Sequence, residues 1–498
     1  MVYTFANEVL AKGTNGVDWQ GGSGSLHRGH NVMYSFARAL CRSRATVERK
    51  IAMDFYHEYK QKLVTPEAAV RVVKSGDWVD YGFGLGQPVL LDAALARRKD
   101  ELQDIKVRGT LAVKPRQIVE VDQERAVFTY SSWHFSGYER KLHDRGLCNY
   151  IPLLYRNMPR FYRQNLQVDV AMVAVAPMDK YGYFNFSLTN SATKAILESA
   201  KIVILEINEK LPRAMGGREE CIHISEVDYI VEGGTMELTE LPAAEPDEVD
   251  RKVASLIVED IVDGATIQLG IGGMPNAVGN LIAQSDVKDL GMHTEMLVDA
   301  YLTLYEQGKL TNKRKVLDKG KGSWTFCLGS RKLYDWVDVN PSLAAYPVDY
   351  TNDPAVIAQM DNFISVNNCV EVDLYGQISA ESAGVRHISG TGGQLDFVTG
   401  SYLSRGGKSF ICFRSSANDK KSGRNSSRVV PTLPTGGIVT DPRSQVHFLV
   451  TEWGKVNLAG CSTWERAEKI ISIAHPDFRE DLIKEAEKMN IWRRSNKV

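Results

Sequence analysis

The sequence has no long apolar run and no excess of charge. No stretch approaches the roughly 18 consecutive apolar residues that a membrane-spanning helix needs. The 60 basic and 61 acidic residues give a formal net charge of -1, whereas proteins that bind nucleic acids usually carry a basic patch. We therefore expect neither a membrane nor a nucleic acid as the main partner.

Cysteine is sparse, and its spacing shows no pairing. Seven cysteines are scattered along the chain without a C-x-x-C pair, which argues against a disulfide framework and for a reducing compartment. The ten histidines form no H-x-x-x-H pair, so the sequence predicts no metal site. We expect a cytoplasmic location.

The length predicts more than one domain. A chain of 498 residues with 43% hydrophobic and 24% charged residues is typical of a globular protein with two or three domains. Residues 1–52 contain a Gly/Ser stretch and a basic, unpatterned run, and we assign this N-terminal extension no function. A Pro-rich, acidic segment near residues 241–248 predicts a linker. It divides the remainder into an N-terminal domain, 53–245, and a C-terminal domain, 246–498.

A glycine pattern repeats between these two parts. Gly76, Gly82 and Gly84 recur 188 residues later as Gly264, Gly270 and Gly272. In each copy a strand leads through the glycine turn into a helix that begins near a proline. Near-continuous apolar runs at 168–175 and 202–207 are typical of strands buried on both faces. The fold class predicted is α/β, with two similar open domains of mostly parallel sheets related by internal duplication.

Further elements follow from local pattern. Helices are predicted near 89–98, 190–199 and 481–488, and strands near 409–413 and 448–452. Alternation over 366–377 predicts one strand that places Asn367, Cys369, Glu371 and Asp373 on one face. Ligands of open parallel sheets bind beyond the carboxyl ends of the strands, where both glycine turns fall.

Common nucleotide and hydrolase motifs are not met. Gln87 and Pro275 stand where a dinucleotide fingerprint requires its third glycine. Tyr402 replaces the first glycine of a P-loop that Gly406–Ser409 would complete. No G-x-S-x-G elbow is present. An acyl-transfer enzyme that uses neither serine, cysteine nor a metal would have to use a carboxylate as its nucleophile.

Glu295 is the candidate carboxylate. It lies between Thr294 and Met296 and is followed at once by apolar residues, a context that predicts burial. An ionised carboxylate is costly to bury unless something holds it. The glycine segments 270–276 and 390–397 are interpreted as facing the same point and supplying backbone donors. A structural ion pair remains the alternative for Glu295, and a structural role the alternative for His293.

Five motifs together resemble one enzyme family, the family I coenzyme A transferases, and within it the acetyl-CoA hydrolase/transferase group that includes 4-hydroxybutyrate and butyryl-CoA:acetate CoA-transferases. The resemblance runs from about Met53 to the end of the chain. Its motifs are Gly270–Val278, His293–Met296, Gly392–Phe397, Val450–Gly454 and Ala474–Phe478.

The resemblance implies a ping-pong reaction between an acyl-CoA and a small carboxylate. Glu295 matches the family nucleophile, which passes through an acyl anhydride and a glutamyl-CoA thioester. Asn367 matches an asparagine that orients it. The residues implied for the oxyanion or for CoA are Gly272, Gly273, Met274, Pro275, Asn276, Gly392, Gly393 and Ser415. Gly84 and Gln87 are the candidates for an acyl pocket.

The resemblance also sets expectations for ligands and assembly. Coenzyme A is expected as a substrate, with no tightly bound cofactor, and a homodimer or homotetramer is expected. Two alternatives stay open: an acyl-CoA hydrolase, in which water resolves the thioester, and a non-catalytic CoA-binding protein. The acyl group, from acetyl to succinyl or itaconyl, is not determined by the sequence.

Overall fold

The structure is a computed structural model that describes residues 54–241, 245–270, 272–418, 423 and 425–493. The N-terminal extension, 1–52, lies outside the described residues. From Glu58 onward the chain belongs to one compact unit. Across the described part of the chain, no helix combines the length and the apolar character that crossing a membrane requires.

The first half of this unit is built on one parallel sheet. Its strands, with a small accessory pair, are β1 Trp78–Phe83, β2 Ile105–Thr110, β3 Phe128–Ser132, β4 Asn149–Tyr150, β5 Val168–Val175, β6 Tyr183–Asn185, β7 Ala200–Ile207, β8 Cys221–His223 and β9 Tyr229–Glu232. The sheet order is β4-β3-β2-β1-β5-β7-β9, and each neighbouring pair is parallel. The helices of this half are α1 Pro66–Ala69, α2 Leu90–Ala96, α3 Gln117–Glu120, α4 Gly137–His143, α5 Met158–Gln164 and α6 Thr193–Ser199.

The second half repeats the design with a second open sheet. Its main strands are β10 Thr266–Leu269, β11 Gly291–Met292, β16 Phe363–Asn368, β21 Lys408–Cys412, β25 Phe448–Thr451 and β26 Gly454–Asn457. They lie in the order β11-β10-β16-β21-β25-β26, parallel except for the antiparallel pair β25–β26. The smaller strands are β12 Met296–Leu297, β13 Gly322–Trp324, β14 Phe326–Cys327, β15 Leu343–Ala345, β17 Glu371–Asp373, β18 Ile378–Ser379, β19 Ser382–Ala383, β20 Arg386–His387, β22 Ser416–Asn418, β23 Asn425–Ser427 and β24 Val429–Val430.

Helices cover this second sheet. They are α7 Glu248–Val258, α8 Gly273–Gln284, α9 Asp299–Glu306, α10 Arg331–Val337, α11 Val348–Thr351, α12 Pro354–Ile357, α13 Gln394–Leu403, α14 Thr463–Ser472 and α15 Pro476–Lys488. Two open, mostly parallel sheets are therefore present, and the predicted fold class is confirmed.

The apolar runs behave as the sequence predicts. Every residue of β5 is buried, because its two sheet neighbours and the covering helices leave neither face to solvent. The predicted single strand over 366–377 is wrong. β16 ends at Asn368, and the chain leaves the main sheet before β17 joins β18 and β24 in a separate small sheet.

The carboxyl ends of several strands meet at one place. Phe83 ends β1, Thr110 ends β2, Leu269 ends β10, and Asn368 ends β16. All four residues line a single cavity, to which both sheets contribute. Parallel sheets bind their ligands at the carboxyl ends of their strands, so this cavity is the candidate ligand site.

Candidate active site

A cavity of about 300 Å³ lies between the two halves of the compact unit. The first half contributes mostly apolar and aromatic side chains, and the second half contributes most of the polar groups and the glycines. Its lining residues from the first half are Phe83, Thr110, Leu111, Trp133, His134, Leu153, Tyr155 and Met158. Glu295 lines the cavity from the second half, as do Gln268, Asn367 and the loop from Ser389 to Gln394.

The backbone around Glu295 is fixed on both sides. The N–H of Thr294 donates to Ser323 O at 2.9 Å, and the carbonyl oxygen of Glu295 accepts from the N–H groups of Thr325 and Phe326 at 3.1 and 3.2 Å. His293 and Thr294 are fully buried, as is Leu297 in β12. These bonds fix the main chain at the point where the Glu295 side chain lines the cavity.

Two groups hold the carboxylate of Glu295. The Asn352 Nδ2 atom donates to Glu295 Oε2 at 2.6 Å, and the backbone N–H of Gly393 is a second hydrogen-bond donor. Glu295 keeps some accessibility because it faces the cavity, but protein surrounds it. Burial raises the pKa of Glu295 to about 7, and the Asn352 and Gly393 donors oppose that rise.

A glycine is required at position 393 because the side chains of Asn352 and Glu295 approach its backbone closely. A Cβ atom added there would lie 2.0 Å from both Asn352 Nδ2 and Glu295 Oε2, far inside van der Waals contact. Gly393 is also the residue before helix α13, so its N–H is one of the donors that a helix N-terminus leaves without an intrahelical partner. A helix end and a glycine thus supply the second donor to the carboxylate.

A second acidic side chain lies close behind Glu295. Asp396, in the first turn of α13, is fully buried and forms an ion pair with Arg156 from the first half. Burial raises the pKa of Asp396 to about 8, against the opposing effect of Arg156, and the charge of Glu295 adds to the rise. Two neighbouring carboxyl groups of this kind disfavour simultaneous ionisation.

The first half holds the glycine loop in place. The Tyr155 N–H donates to Gly392 O at 3.1 Å, and the Phe135 N–H donates to Ser389 O at 3.1 Å. The Thr391 N–H donates to the hydroxyl of Tyr150 at 3.0 Å. The position of the Gly393 N–H against Glu295 therefore depends on contacts that cross between the halves.

The expectation that Asn367 orients Glu295 needs a correction, because the structure places another asparagine against the carboxylate. Asn367 lines the cavity, but its amide is paired with that of Gln268, with Nδ2 to Oε1 at 3.2 Å and Nε2 to Oδ1 at 3.4 Å. The amide that contacts Glu295 is that of Asn352. Asn367 lies in β16 beside β10, where Gln268 is in register with Ser365, two residues before Asn367.

The residues predicted for the oxyanion or CoA fall into two groups. Gly392 and Gly393 line the cavity. The start of helix α8 holds Gly272, Gly273, Met274, Pro275 and Asn276, just beyond Gly270, which lines the cavity; Gly272 is exposed, whereas Met274 and Pro275 are buried. Gly272 has φ 112° and ψ -179°, a backbone conformation essentially restricted to glycine.

Ser415, Gly84 and Gln87 lie away from Glu295. The Ser415 hydroxyl donates to Glu452 Oε1 at 2.5 Å and accepts from Trp453 Nε1 at 3.1 Å, and the residue is fully buried. Gly84 and Gln87 line a second, much smaller cavity. Gln87 Nε2 donates to Thr110 O at 3.1 Å, so Gln87 supports the lining of the main cavity from behind.

Sequence reasoning did not identify three residues of the site. Asn352 lies 57 residues from Glu295 in a turn without a distinctive pattern. Asp396 lies inside the motif Gly392–Phe397, but nothing in the sequence around it predicts that it pairs with Arg156. His134 lines the cavity beside Gly390 and Gly392, and burial lowers its pKa to about 4.

Comparison with known proteins gives the family. The acetyl-CoA hydrolase/transferase N-terminal domain model matches residues 47–239, and the corresponding C-terminal domain model matches residues 329–486. The butyryl-CoA:acetate CoA-transferase of Anaerostipes caccae is 53% identical over 89% of this chain and the whole of that protein. The 4-hydroxybutyrate coenzyme A transferase of Clostridium kluyveri is 40% identical over 88% of this chain and the whole of that protein.

A solved structure and a more distant relative are also similar to this chain. The crystal structure of RipA from Yersinia pestis is 36% identical, with a TM-score of 0.81, over 88% of this chain and 99% of that one. The acetyl-CoA hydrolase of Schizosaccharomyces pombe is more distant, at 25% identity over 85% of this chain and 89% of that protein. The chain belongs to the acetyl-CoA hydrolase/transferase family. The resemblance drawn from the sequence is confirmed, and so is its assignment to the CoA-transferases.

The contact at Gly393 yields a direct prediction. In Gly393→Ala the new methyl group displaces the Glu295 carboxylate or the Asn352 amide, and misplacement of a reacting group by about 1 Å can cost on the order of 10²-fold in rate. We expect the CoA-transfer rate to fall by at least that factor while the thermal unfolding midpoint shows a folded protein.

The matched control is Gly137→Ala. Gly137 begins helix α4, and a Cβ atom there meets nothing within 4 Å, so this variant should retain the parent rate. A Gly393→Ala enzyme with the parent rate would show that close contact at Glu295 is not needed.

Proposed function

We propose that this protein transfers coenzyme A between short-chain carboxylates, such as butyrate, 4-hydroxybutyrate and acetate, with Glu295 as the nucleophile. The observation that carries the proposal is the carboxylate itself. It faces a cavity between two halves, held by the Asn352 amide and the Gly393 N–H. The names of the similar proteins, butyryl-CoA:acetate and 4-hydroxybutyrate CoA-transferase, support this range of carboxylates.

The first half-reaction loads CoA onto the protein. The Glu295 carboxylate attacks the thioester carbonyl of the acyl-CoA, the C–S bond breaks, and an acyl-glutamyl anhydride and the CoA thiolate form. The thiolate then attacks the glutamyl carbonyl. The anhydride C–O bond breaks, the first carboxylate leaves, and Glu295 carries CoA as a thioester.

The second half-reaction reverses these steps with a new carboxylate. The acceptor attacks the glutamyl thioester, which releases the thiolate and forms a new anhydride. The thiolate attacks the acyl carbonyl of that anhydride, which gives the new acyl-CoA and restores the Glu295 carboxylate. Electron pairs balance without an oxidant or a reductant, and CoA acts as a substrate. Only a carboxylic acid side chain can pass through both an anhydride and a thioester.

Each attack creates an oxyanion that needs donors. Donors aimed at a developing oxyanion are worth about 10²–10³-fold in rate each. The Asn352 amide and the Gly393 N–H already point at the Glu295 carboxylate, so they are our candidates for the oxyanion on the glutamyl carbon. The proposal places CoA over the second half, along the N-terminal end of helix α8 at Gly272–Asn276, because the N-terminus of a helix favours a phosphate.

The chain's assembly and location complete the proposal. We take it to be a cytoplasmic homodimer or homotetramer. The cytoplasmic location rests on the scattered cysteines, of which the six in the described residues are free thiols. The oligomeric state rests on the family alone.

The proposal predicts how the thioester is resolved. With butyryl-CoA and acetate, acetyl-CoA should form as fast as butyryl-CoA disappears, because the mostly apolar lining of the cavity disfavours water as the acceptor. Glu295→Gln should lose more than about 10³-fold of this rate, since the amide is not a nucleophile. Chromatography of both acyl-CoAs, with a thiol reagent for free CoA, measures the two outcomes.

The control for this assay is Glu306→Gln, which changes an exposed glutamate that pairs with Lys332. It should leave the rate unchanged. Release of free thiol equal to total turnover would favour the hydrolase, and full activity in Glu295→Gln would favour a different nucleophile.

The raised pKa of Glu295 predicts a pH profile. Only the ionised carboxylate attacks, so kcat/KM should rise with pH through about 7 and then level off. Asn352 favours the ionised form, so Asn352→Ala should move the inflection to higher pH. The exposed amide of Gln359, which donates to Ala355 O at 2.9 Å, provides the control Gln359→Ala, with an unchanged inflection. An inflection near 4.5 in the parent enzyme would contradict the burial of Glu295.

A further inference from the structure

One wall of the cavity, supplied by the first half together with Phe326 of the second, is mostly apolar. Phe83, Tyr155 and Phe326 form one group of rings, with centroid separations of 5.6 Å between Phe83 and Tyr155 and 4.5 Å between Phe83 and Phe326. Leu111, Leu153 and Met158 line the same cavity. A substrate chain that enters this side therefore meets hydrocarbon.

Two polar side chains of this wall bond to protein partners. Tyr155 Oη lies 2.6 Å from Ser191 Oγ, and Trp133 Nε1 donates to Tyr162 Oη at 3.2 Å. On the opposite side, the Gln268 and Asn367 amides bond to each other. These bonds occupy donors that a polar substrate tail would otherwise use.

Cations are missing from the described lining. No lysine or arginine is among the described residues that border the cavity. Arg156 is adjacent in sequence to Tyr155, but its guanidinium is paired with buried Asp396. The titratable side chains among these lining residues are Tyr155, Glu295 and His134. Burial, together with the nearby His387 and Arg140, lowers the pKa of His134 to about 4, so its ring is neutral at pH 7.

The direction of the acyl group follows from the proposed function, on which this inference rests. The thioester carbonyl must reach Glu295. If CoA lies over the second half, along Gly272–Asn276, the acyl chain extends the other way, towards the wall of Phe83, Tyr155 and Met158. A second carboxylate at the end of that chain would enter hydrocarbon without a cation and close to the carboxylate of Glu295.

We infer that the enzyme selects acyl groups with an uncharged aliphatic chain and rejects those that end in a second carboxylate. Among four-carbon donors it should use butyryl-CoA well and succinyl-CoA poorly. A buried charge without a partner is far more costly than a buried hydroxyl, and an apolar pocket rejects an added hydroxyl only by about 10²-fold at most. The order of preference is therefore butyryl, then 4-hydroxybutyryl, then succinyl.

The test compares these three donors, which have the same chain length and differ only at the terminal group. With the full-length protein and acetate as the acceptor, we measure kcat/KM for butyryl-CoA, 4-hydroxybutyryl-CoA and succinyl-CoA. Butyryl-CoA should exceed succinyl-CoA by at least about 100-fold, with 4-hydroxybutyryl-CoA between them. A succinyl-CoA value within tenfold of the butyryl-CoA value would overturn the inference and leave the proposed transfer reaction intact.

A variant tests the physical cause. Met158, buried in the wall at the start of α5, is replaced by lysine, by glutamine and by leucine. Met158→Lys should raise the ratio of succinyl-CoA to butyryl-CoA activity at least tenfold, whereas Met158→Gln and Met158→Leu should not. An equal gain in Met158→Gln would show that polarity, and not charge, sets the selection.

Two outcomes separate the inference from the proposal beneath it. If Met158→Lys does not fold, the comparison of the three donors with the parent enzyme still decides. If none of the three donors passes CoA to acetate, the proposed function itself is wrong, and the question of acyl selection does not arise.

Discussion

A carboxylate held out of bulk water is the constraint on which the site depends. Glu295 occupies a position where burial favours the neutral acid and raises its pKa to about 7, while Asn352 and Gly393 favour the anion. The balance leaves a group that can be ionised near neutral pH yet is poorly solvated. A carboxylate in that state is a better nucleophile than one in water, because less hydration must be removed before it reacts.

Both halves of the fold are needed to maintain that balance. The second half supplies Glu295 and the donors around it. The first half fixes the glycine loop through backbone contacts to Gly392 and Ser389 and through the Arg156–Asp396 ion pair. The same half supplies the apolar wall opposite the carboxylate. The two-sheet architecture thus places a reactive group and its substrate pocket on different elements that meet only in the folded protein.

The sequence predicts the parts of the molecule that local pattern determines. The apolar run at 168–175 is buried on both faces and forms β5 over the same residues. Both glycine turns follow strand ends, and Glu295 lies where a buried carboxylate was predicted. These features depend on neighbours in the chain, so hydrophobic pattern and turn chemistry suffice.

Contacts between distant segments are beyond such patterns. Asn352 reaches Glu295 because the turn after helix α11 folds back onto the loop before β12, and nothing in the local sequence distinguishes it from Asn367. The strand expected at 366–377 divides because the chain leaves the sheet at the cavity edge, where tertiary packing overrides alternation. The apolar wall comes from several separated segments of the first half and from Phe326, and only the fold brings them together.

The most direct test of the account is chemical capture of CoA on Glu295. The protein is incubated with butyryl-CoA, quenched with hydroxylamine or borohydride, digested, and mapped by mass spectrometry. The account predicts a glutamyl hydroxamate or the reduced alcohol at Glu295, formed only when an acyl-CoA is present. An unmodified Glu295 peptide from an enzyme that turns over, or modification at another carboxylate such as Asp396, would contradict it.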